Sequence, residues 1–197
     1  MARQTWKAGN MIYPLPAVMI SCGNEETSNI VTVAWTGTIC TNPPMTYISL
    51  RPSRYSYDLI KESGTFVINL TTRDLAKATD FCGVRSGRNL DKFKEMNLTP
   101  IFDNQTGCPM IEESPVNVEC RVSEIKELGS HHMFIADVIA VHVDEKYIDE
   151  NGKFHLNETD LVAYSHGSYF TLGDQLGTFG YSVMKPKKKN KKTQVKK

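Results

Sequence analysis

Short runs of apolar, β-branched residues alternate along the chain with polar turns, and this pattern predicts a protein built mainly from strands. The clearest case is the alternation of Val118, Cys120 and Val122 with polar neighbours, which has the period of two expected of a half-buried strand. Gly129 to His132 is predicted to turn the chain before a long last strand. The predicted strands cover residues 17–22, 29–36, 45–51, 65–70, 117–124 and 134–143.

Helical spacing is confined to short segments between these strands. The best defined helix is predicted over Tyr55 to Glu62, with Ser53 or Ser56 as its N-cap and Gly64 as its end. Further short helices are predicted over 74–81 and 91–96.

Six or seven strands with two or three short helices do not fit a doubly wound parallel sheet, which requires long helices between successive strands. We therefore expect a mainly antiparallel β-barrel with short helical insertions. No repeat or internal linker divides the chain, so residues 1–184 are predicted to form one domain. Residues 185–197, which hold eight lysines and no acid, are predicted to be a disordered basic tail.

Charge and targeting signals narrow the possible classes of protein. Without the eight tail lysines, 15 basic side chains face 22 acidic ones, a net charge of −7 that suits general nucleic-acid binding poorly. No apolar run is long enough for a membrane span, and MARQTWKAGN lacks the apolar core of a signal peptide. The five cysteines show no metal-binding spacing. We expect a cytoplasmic protein with reduced thiols and no metal site.

Several common catalytic motifs are missing from the sequence. It contains no GxGxxG after a strand, no GxxxxGK[ST], no GxSxG and no HExxH. These absences argue against a Rossmann dehydrogenase, a P-loop ATPase, a serine hydrolase and a zinc protease.

The segment Arg51-Pro52-Ser53-Arg54-Tyr55-Ser56 carries the strongest chemical signal. It sets two guanidinium groups and two hydroxyls at a predicted helix N-terminus, where backbone N–H groups and the helix dipole favour an anion. Arginine can also hold a phosphate through two parallel hydrogen bonds. We predict a phosphate site here. The alternative is a capped, exposed helix start in which Arg54 pairs with a nearby acid.

Other candidate residues have plain structural alternatives. Glycine beside two threonines, in Trp35-Thr36-Gly37-Thr38, lets a planar ligand approach the backbone, although Trp35 also suits a core position. Arg85, Arg88 and Lys92 add positive charge or form a solvated basic loop. His131 and His132 could be ordinary structural histidines, and Cys40 could be a small buried residue.

Four stretches of the sequence resemble one family. They are PLPAVMISCG, SNIVTVAWTGTICTNPPMTYISLRPSRYSYDLI, TFVINL and GSHHMFIADVIAV, and together they resemble the flavin reductase-like family, in particular its flavoredoxin-type branch. The likeness extends over about residues 10–184. It implies an FMN-binding split barrel, a mainly β, antiparallel and Greek-key-like fold, and a homodimer with FMN bound near the interface.

The resemblance also implies roles for individual residues. Ser53, Arg54 and Ser56 would hold the FMN phosphate. His131 occupies the family's Gly-x-His position by the nicotinamide or flavin pocket, although Ser130 replaces a frequent aspartate and His132 follows. The other residues implied at the cofactor are Asn29, Trp35, Thr36, Gly37, Thr38, Cys40, Tyr55, Lys92, Tyr164 and Tyr169.

The activity implied is an oxidoreductase that passes reducing equivalents from NADH or NADPH to flavin, with a redox protein or an oxygenase as a possible partner. One alternative is a flavoredoxin-type carrier that keeps its FMN and is reduced by another protein. A third alternative, from a different functional class, is a non-enzymatic barrel that binds nucleic acid through its basic tail.

Overall fold

The computed structural model describes residues 1–184, so the tail predicted over 185–197 lies outside the described residues. Within them the chain forms twelve strands. These are β1 (Leu15–Pro16), β2 (Val18–Gly23), β3 (Ser28–Val33), β4 (Thr36–Thr41), β5 (Pro44–Leu50), β6 (Thr65–Leu70), β7 (Pro100–Ile101), β8 (Met110–Ile111), β9 (Val116–Leu128), β10 (His131–Val143), β11 (Val162–Ser165) and β12 (Ser168–Thr171).

Seven strands form one antiparallel sheet in the order β3-β2-β6-β9-β10-β5-β4. The two edge strands, β3 and β4, are joined by only Ala34 and Trp35. Because two residues span only a few ångströms, the sheet must curl until its edges approach each other. Trp35 consequently lies where the barrel is split, and its carbonyl accepts a hydrogen bond of 2.8 Å from Ser49 N on β5.

The mainly antiparallel β fold is thus confirmed, with local differences from the predicted elements. The predicted strand over 29–36 ends at Val33, and Thr36 starts a separate strand that the sequence analysis missed. His131 and His132 were predicted to lie in a turn but begin β10, because Gly129, with φ of 57°, and Ser130 complete the turn alone.

Strand β2 is buried on both faces, which explains its successive apolar residues Val18, Met19 and Ile20. Val18, Ile20 and Cys22 face the barrel interior beside Phe66 and Phe134. On the other face Met19 packs in a second cluster with residues of the short helices, among them Leu75, Ala78, Cys82 and Phe93. The helical insertions therefore cover one side of the barrel.

Three α-helices interrupt the strands: α1 (Tyr55–Ser63), α2 (Ala76–Val84) and α3 (Lys92–Glu95). Gly64 ends α1 as predicted, in a left-handed conformation with φ of 68°. The predicted serine cap of α1 is wrong: Arg54 occupies the N-cap position and no side chain caps it. Three 3₁₀ turns cover Glu145–Tyr147, Leu156–Glu158 and Tyr181–Val183.

Glu119 on β9 ties a distant loop to the barrel. Its side chain is fully buried and accepts hydrogen bonds from Gln105 N at 2.9 Å and Thr106 N at 2.8 Å. His142 Nε2 on β10 lies 2.6 Å from the other carboxylate oxygen. Burial opposes ionisation, but the hydrogen bonds from His142, Thr106 and Gln105 outweigh it and lower the pKa of Glu119. The carboxylate therefore stays charged and holds the loop.

None of the helices within residues 1–184 has the length and apolar character that crossing a bilayer requires. All five cysteines lie in this part of the chain and are free thiols. The same residues contain no group of three or more His, Cys, Asp or Glu side chains placed to hold a metal ion.

Candidate functional site

A polar cavity of about 200 Å³ opens between the β5–α1 turn, strand β3 and the loop after α2. We call it the arginine cavity. Its lining residues are Asn29, Val31, Arg51, Ser53, Arg54, Tyr55, Ser56, Arg85, Ser86, Gly87 and Lys92. The fold thus brings six of the predicted cofactor residues together: Asn29, Ser53, Arg54, Tyr55, Ser56 and Lys92.

A buried hydrogen bond joins the two walls of this cavity. Asn29 Nδ2 on β3 donates to Ser56 Oγ in the first turn of α1 at 2.7 Å, and both residues are buried. Ser56 therefore fixes α1 against β3 instead of capping the helix. Both residues of this contact line the arginine cavity.

Lys92 supplies a buried cation. Its residue is only 4% exposed, and Nζ donates to Ile30 O at 2.5 Å and to Cys82 O at 2.8 Å. Burial and, to a smaller degree, the Arg54 guanidinium lower the pKa of Lys92 to about 8. An ammonium placed between two carbonyl oxygens without a carboxylate still has a proton to offer to an anion.

The α2–α3 loop completes the cavity with residues that the sequence analysis treated as an undecided basic loop. Arg85, Ser86 and Gly87 line the cavity together with Arg54, and the Arg88 guanidinium lies over the Tyr55 ring at 5.3 Å from its centroid. In the sequence, the signal that could have identified this loop as part of the site was Gly87, which lies between Arg85 and Arg88.

The cations around the cavity have no internal counter-charge. Within residues 1–184 no salt bridge involves Arg51, Arg54, Arg85, Arg88 or Lys92. The alternative in which Arg54 pairs with a nearby acid is therefore not what the structure shows. Exposed arginines that converge without an acid favour an external anion, and the guanidinium fork suits a phosphate.

A second cavity, of about 400 Å³, adjoins the first and shares Arg51 and Arg54 with it. We call it the tryptophan cavity. The Trp35 and His131 rings lie 5.7 Å apart, centroid to centroid, and are inclined by 31°. The remaining lining residues are Thr32, Val33, Ser49 and Leu50.

His131 is a neutral side chain in this setting. Burial lowers its pKa, and the positive charges of Arg51 and Arg54 lower it further. Ser130 Oγ lies 3.0 Å from its Nδ1. A neutral imidazole beside two arginines can accept or donate a hydrogen bond but adds no further charge to the site.

A third cavity, of about 270 Å³, shares Thr32 and Trp35 with the tryptophan cavity. We call it the tyrosine cavity, because Tyr164 and Tyr169 line it together with Asp80 from α2. The two tyrosines are a cross-strand pair of β11 and β12. The three cavities therefore form a continuous series along β3 and the split of the barrel.

The structure separates one group of predicted residues from this series. Thr36, Gly37, Thr38 and Cys40 line an apolar cavity of about 400 Å³ beside β6 and β9. The Thr36 hydroxyl already donates to Tyr47 O at 2.6 Å. The ligand contacts expected of these four residues stay a prediction, as do the individual roles of all the other predicted site residues.

Gly87 is the residue of the α2–α3 loop that admits the close approach of β3. A Cβ atom at this position would lie 2.0 Å from Asn29 Oδ1 and 3.1 Å from Tyr55 Cδ1. Overpacking of this kind costs about 1–3 kcal/mol. We expect Gly87→Ala to displace Asn29 and to weaken the phosphate binding that the sequence predicts here, measured by calorimetry with FMN, the ligand that the family resemblance implies, as titrant. Gly9→Ala, at an exposed glycine where a Cβ atom meets no close neighbour, is the control, and equal FMN affinity in Gly87→Ala and the parent chain would contradict the expectation.

Known proteins agree with this architecture. A protein of Archaeoglobus fulgidus described as uncharacterized is 31% identical over 160 residues, which cover 81% of this chain and 89% of its own. The structure of flavoredoxin from Desulfovibrio vulgaris (Miyazaki F) is similar with a TM-score of 0.85 and 28% identity, covering 93% of this chain and 100% of that one. The FMN reductase (NADH) RutF of Enterobacter cloacae is 21% identical over 51% of this chain and 58% of its own.

The family model described as flavin reductase like domain matches residues 10–173. That match includes every strand of the barrel and all three cavities of the series. The expected resemblance is confirmed, as is the split-barrel fold, and the chain belongs to the flavin reductase like domain family.

Proposed function

We propose that this protein binds FMN with its phosphate in the arginine cavity and passes reducing equivalents from NADH or NADPH to the flavin. The observation that carries the proposal is the convergence on one small cavity of four cations, Arg51, Arg54, Arg85 and Lys92, that form no salt bridge within residues 1–184. Membership of the flavin reductase like domain family supports the identity of the ligand.

The donor set fits a phosphate monoester. Such a group carries a charge of about −1.5 to −2 and three acceptor oxygens at neutral pH. Arg51 and Arg54 offer guanidinium forks, Ser53 and Ser86 offer hydroxyls, and Lys92 offers the remaining proton of its ammonium group. None of the described lining residues carries a carboxylate that would repel the anion.

The rest of the flavin would extend from the arginine cavity into the tryptophan cavity, since Arg51 and Arg54 belong to both. Trp35 and His131 offer ring faces there to a planar group. Bound FMN supplies the redox chemistry, and the residues of the chain hold the phosphate, place the ring and limit the access of water. This division agrees with the lack of an acid–base pair among the described residues that line the arginine and tryptophan cavities.

A second candidate function is that of an electron carrier that retains FMN and is reduced by a protein partner. The structural likeness to flavoredoxin favours it. The alternative function of nucleic-acid binding has less support. The cations of the site line one small cavity, and the chain outside the tail has a net charge of −7, which suits nucleic-acid binding poorly.

The test begins with the visible spectrum of the purified full-length protein and its titration with FMN. Saturable FMN binding, followed by rapid NADH or NADPH oxidation in the presence of free FMN, would support the reductase. Tight FMN binding with negligible NAD(P)H oxidation would support the carrier. A protein that stays colourless and gives no heat on titration with FMN would refute both.

We also propose a homodimer with FMN near its interface and a redox protein or an oxygenase as the acceptor. Large apolar side chains of the C-terminal segment support a second copy: Leu176, Phe179 and Val183 are at least 83% exposed. Analytical ultracentrifugation of the full chain tests the dimer. The predicted cytoplasmic location stays a prediction.

The lowered pKa of Lys92 makes phosphate binding depend on pH. Lys92 loses its proton as pH rises through about 8, well below the usual range for lysine, and a neutral amine no longer attracts an anion. Bound phosphate favours the charged form, so binding above pH 8 should take up a proton. We expect FMN affinity to fall between pH 7 and pH 9.

Isothermal titration of FMN across this pH range, in buffers of different ionisation enthalpy, measures both the affinity and the proton uptake. Lys92→Met should bind more weakly at pH 7 and show a flatter pH dependence. Lys94→Met, on the exposed side of the same short helix, is the control. A parent protein whose FMN affinity is level from pH 7 to pH 9 would contradict the role of Lys92.

A further inference from the structure

The tyrosine cavity combines aromatic walls with a single charge. Trp35, which is 41% exposed, forms one wall. Tyr164 and Tyr169 form another, with ring centroids 5.6 Å apart and planes inclined by 61°. Asp80 is the one formally charged residue of the described lining, and the other members are small or apolar.

Asp80 keeps an oxygen for a ligand. It is exposed on α2 and takes part in no salt bridge within residues 1–184. Its Oδ1 accepts a hydrogen bond of 3.2 Å from the Tyr169 hydroxyl. Burial and the neighbouring carboxylate raise the pKa of Tyr169 to about 12, so the hydroxyl remains a neutral donor. The cavity is therefore negative at neutral pH.

We propose that the tyrosine cavity is a binding site for a planar organic cation. Ring faces of Trp and Tyr attract a cation through their quadrupoles, and the Asp80 carboxylate adds a full negative charge. The cavity volume of about 270 Å³ suits one ring with a small substituent. Asp80 can also accept a hydrogen bond from an amide N–H of such a substituent.

The identity of the cation rests on the proposed function. The oxidised nicotinamide ring is planar, positively charged and carries a carboxamide, whereas the reduced ring is neutral. The series of cavities runs from cationic, at Arg54 and Lys92, to anionic, at Asp80, and Trp35 belongs both to the middle cavity and to the one at the anionic end. That polarity suits a nicotinamide ring placed beside a flavin whose phosphate lies at the opposite end.

The experiment compares two probes that share a ring and differ in charge, 1-methylnicotinamide (a cation) and nicotinamide (neutral). Each is titrated into the full-length protein, as purified and after addition of FMN, by calorimetry. Trp35 fluorescence provides a second readout in a Trp6→Phe background, since Trp6 and Trp35 are the two tryptophans of the chain. We expect the cation to bind at least about tenfold more tightly than the neutral probe.

Asp80→Asn should weaken the binding of 1-methylnicotinamide and leave that of nicotinamide unchanged. The ratio of the two affinities should therefore fall to about one. Asp74→Asn, which removes an exposed charge from the segment just before α2, is the matched control and should keep the ratio. Equal binding of the two probes to the parent protein, or an unchanged ratio in Asp80→Asn, overturns the proposal.

Two further outcomes separate this proposal from the proposed function. Cation binding that requires Asp80 in a protein that fails to bind FMN would support the site and refute the flavin assignment. FMN binding with no response to 1-methylnicotinamide would refute this site alone. Titration with NAD⁺ tests whether the cation is a nicotinamide ring. Weaker NAD⁺ binding in Asp80→Asn supports nicotinamide, and equal NAD⁺ binding in Asp80→Asn and the parent protein overturns that identity.

Discussion

Arg54→Ala should weaken FMN binding by about 1.5–3 kcal/mol, the range for hydrogen bonds to charged groups and equivalent to roughly 10- to 150-fold in Kd. Arg54 lines both the arginine cavity and the tryptophan cavity, and no internal salt bridge within residues 1–184 compensates its charge. Its guanidinium is therefore available to the phosphate without breaking another contact.

Riboflavin provides the sharpest control, because it has the same ring system without the phosphate. If Arg54 acts on the phosphate, its replacement should reduce the affinity for FMN and leave that for riboflavin nearly unchanged. Arg121→Ala removes an exposed arginine of β9 that lines none of the three cavities and should have no effect on either ligand. Equal losses for FMN and riboflavin would show that Arg54 supports the fold and does not hold a phosphate.

Glu119→Ala should lower the free energy of unfolding by about 2–4 kcal/mol, because it leaves two partly buried backbone donors without an acceptor, each costing about 1–2 kcal/mol, the lower part of the range for buried groups. These donors are Gln105 N and Thr106 N. Among the described hydrogen bonds, Glu119 is the only acidic side chain that accepts from their loop. Urea unfolding at pH 7 measures the loss. Glu124→Ala, at an exposed position of the same strand, should change stability little.

The same carboxylate predicts a pH dependence of stability. Its pKa is lower in the folded protein than its ordinary value of 4.5, so the folded state binds fewer protons than the unfolded state in that range. The stabilisation is complete above about pH 4.5 and is lost as pH falls through the folded pKa. Glu119→Gln should be less stable at pH 7 and show a smaller loss on acidification. Parallel pH curves for the two proteins would rule out this role.

Much of the fold followed from the order of residues. The positions of β2, β5, β6, β9 and β10 were predictable, because a period of two or a short apolar run reports directly on burial of a strand. Turn chemistry at Gly64 likewise determined where α1 ends. The family followed from local motifs, above all the arginine–serine segment after Pro43-Pro44.

Local pattern was less informative where long-range contacts compete with local ones. Ser56 has the composition of a helix cap, but the fold brings Asn29 to within 2.7 Å of it and uses its hydroxyl between two elements. Gly37 and Thr38 lay outside every predicted strand, yet pairing with Tyr47 and Thr46 of β5 places them in β4. In both cases a contact with another element determined the outcome.

The sequence alone thus determined that the chain is a mainly β protein and predicted a phosphate-binding segment, since strand period and side-chain charge are local properties. Only the tertiary structure decided that Arg85 and Gly87 join Arg54 in one cavity, that Trp35 lies at the split of the barrel, and that Asp80 lies with the two tyrosines. The physical reason is that these groupings depend on how the sheet closes. The two-residue connection between the edge strands β3 and β4 determines how the sheet closes. The local pattern of apolar and polar residues does not indicate this closure.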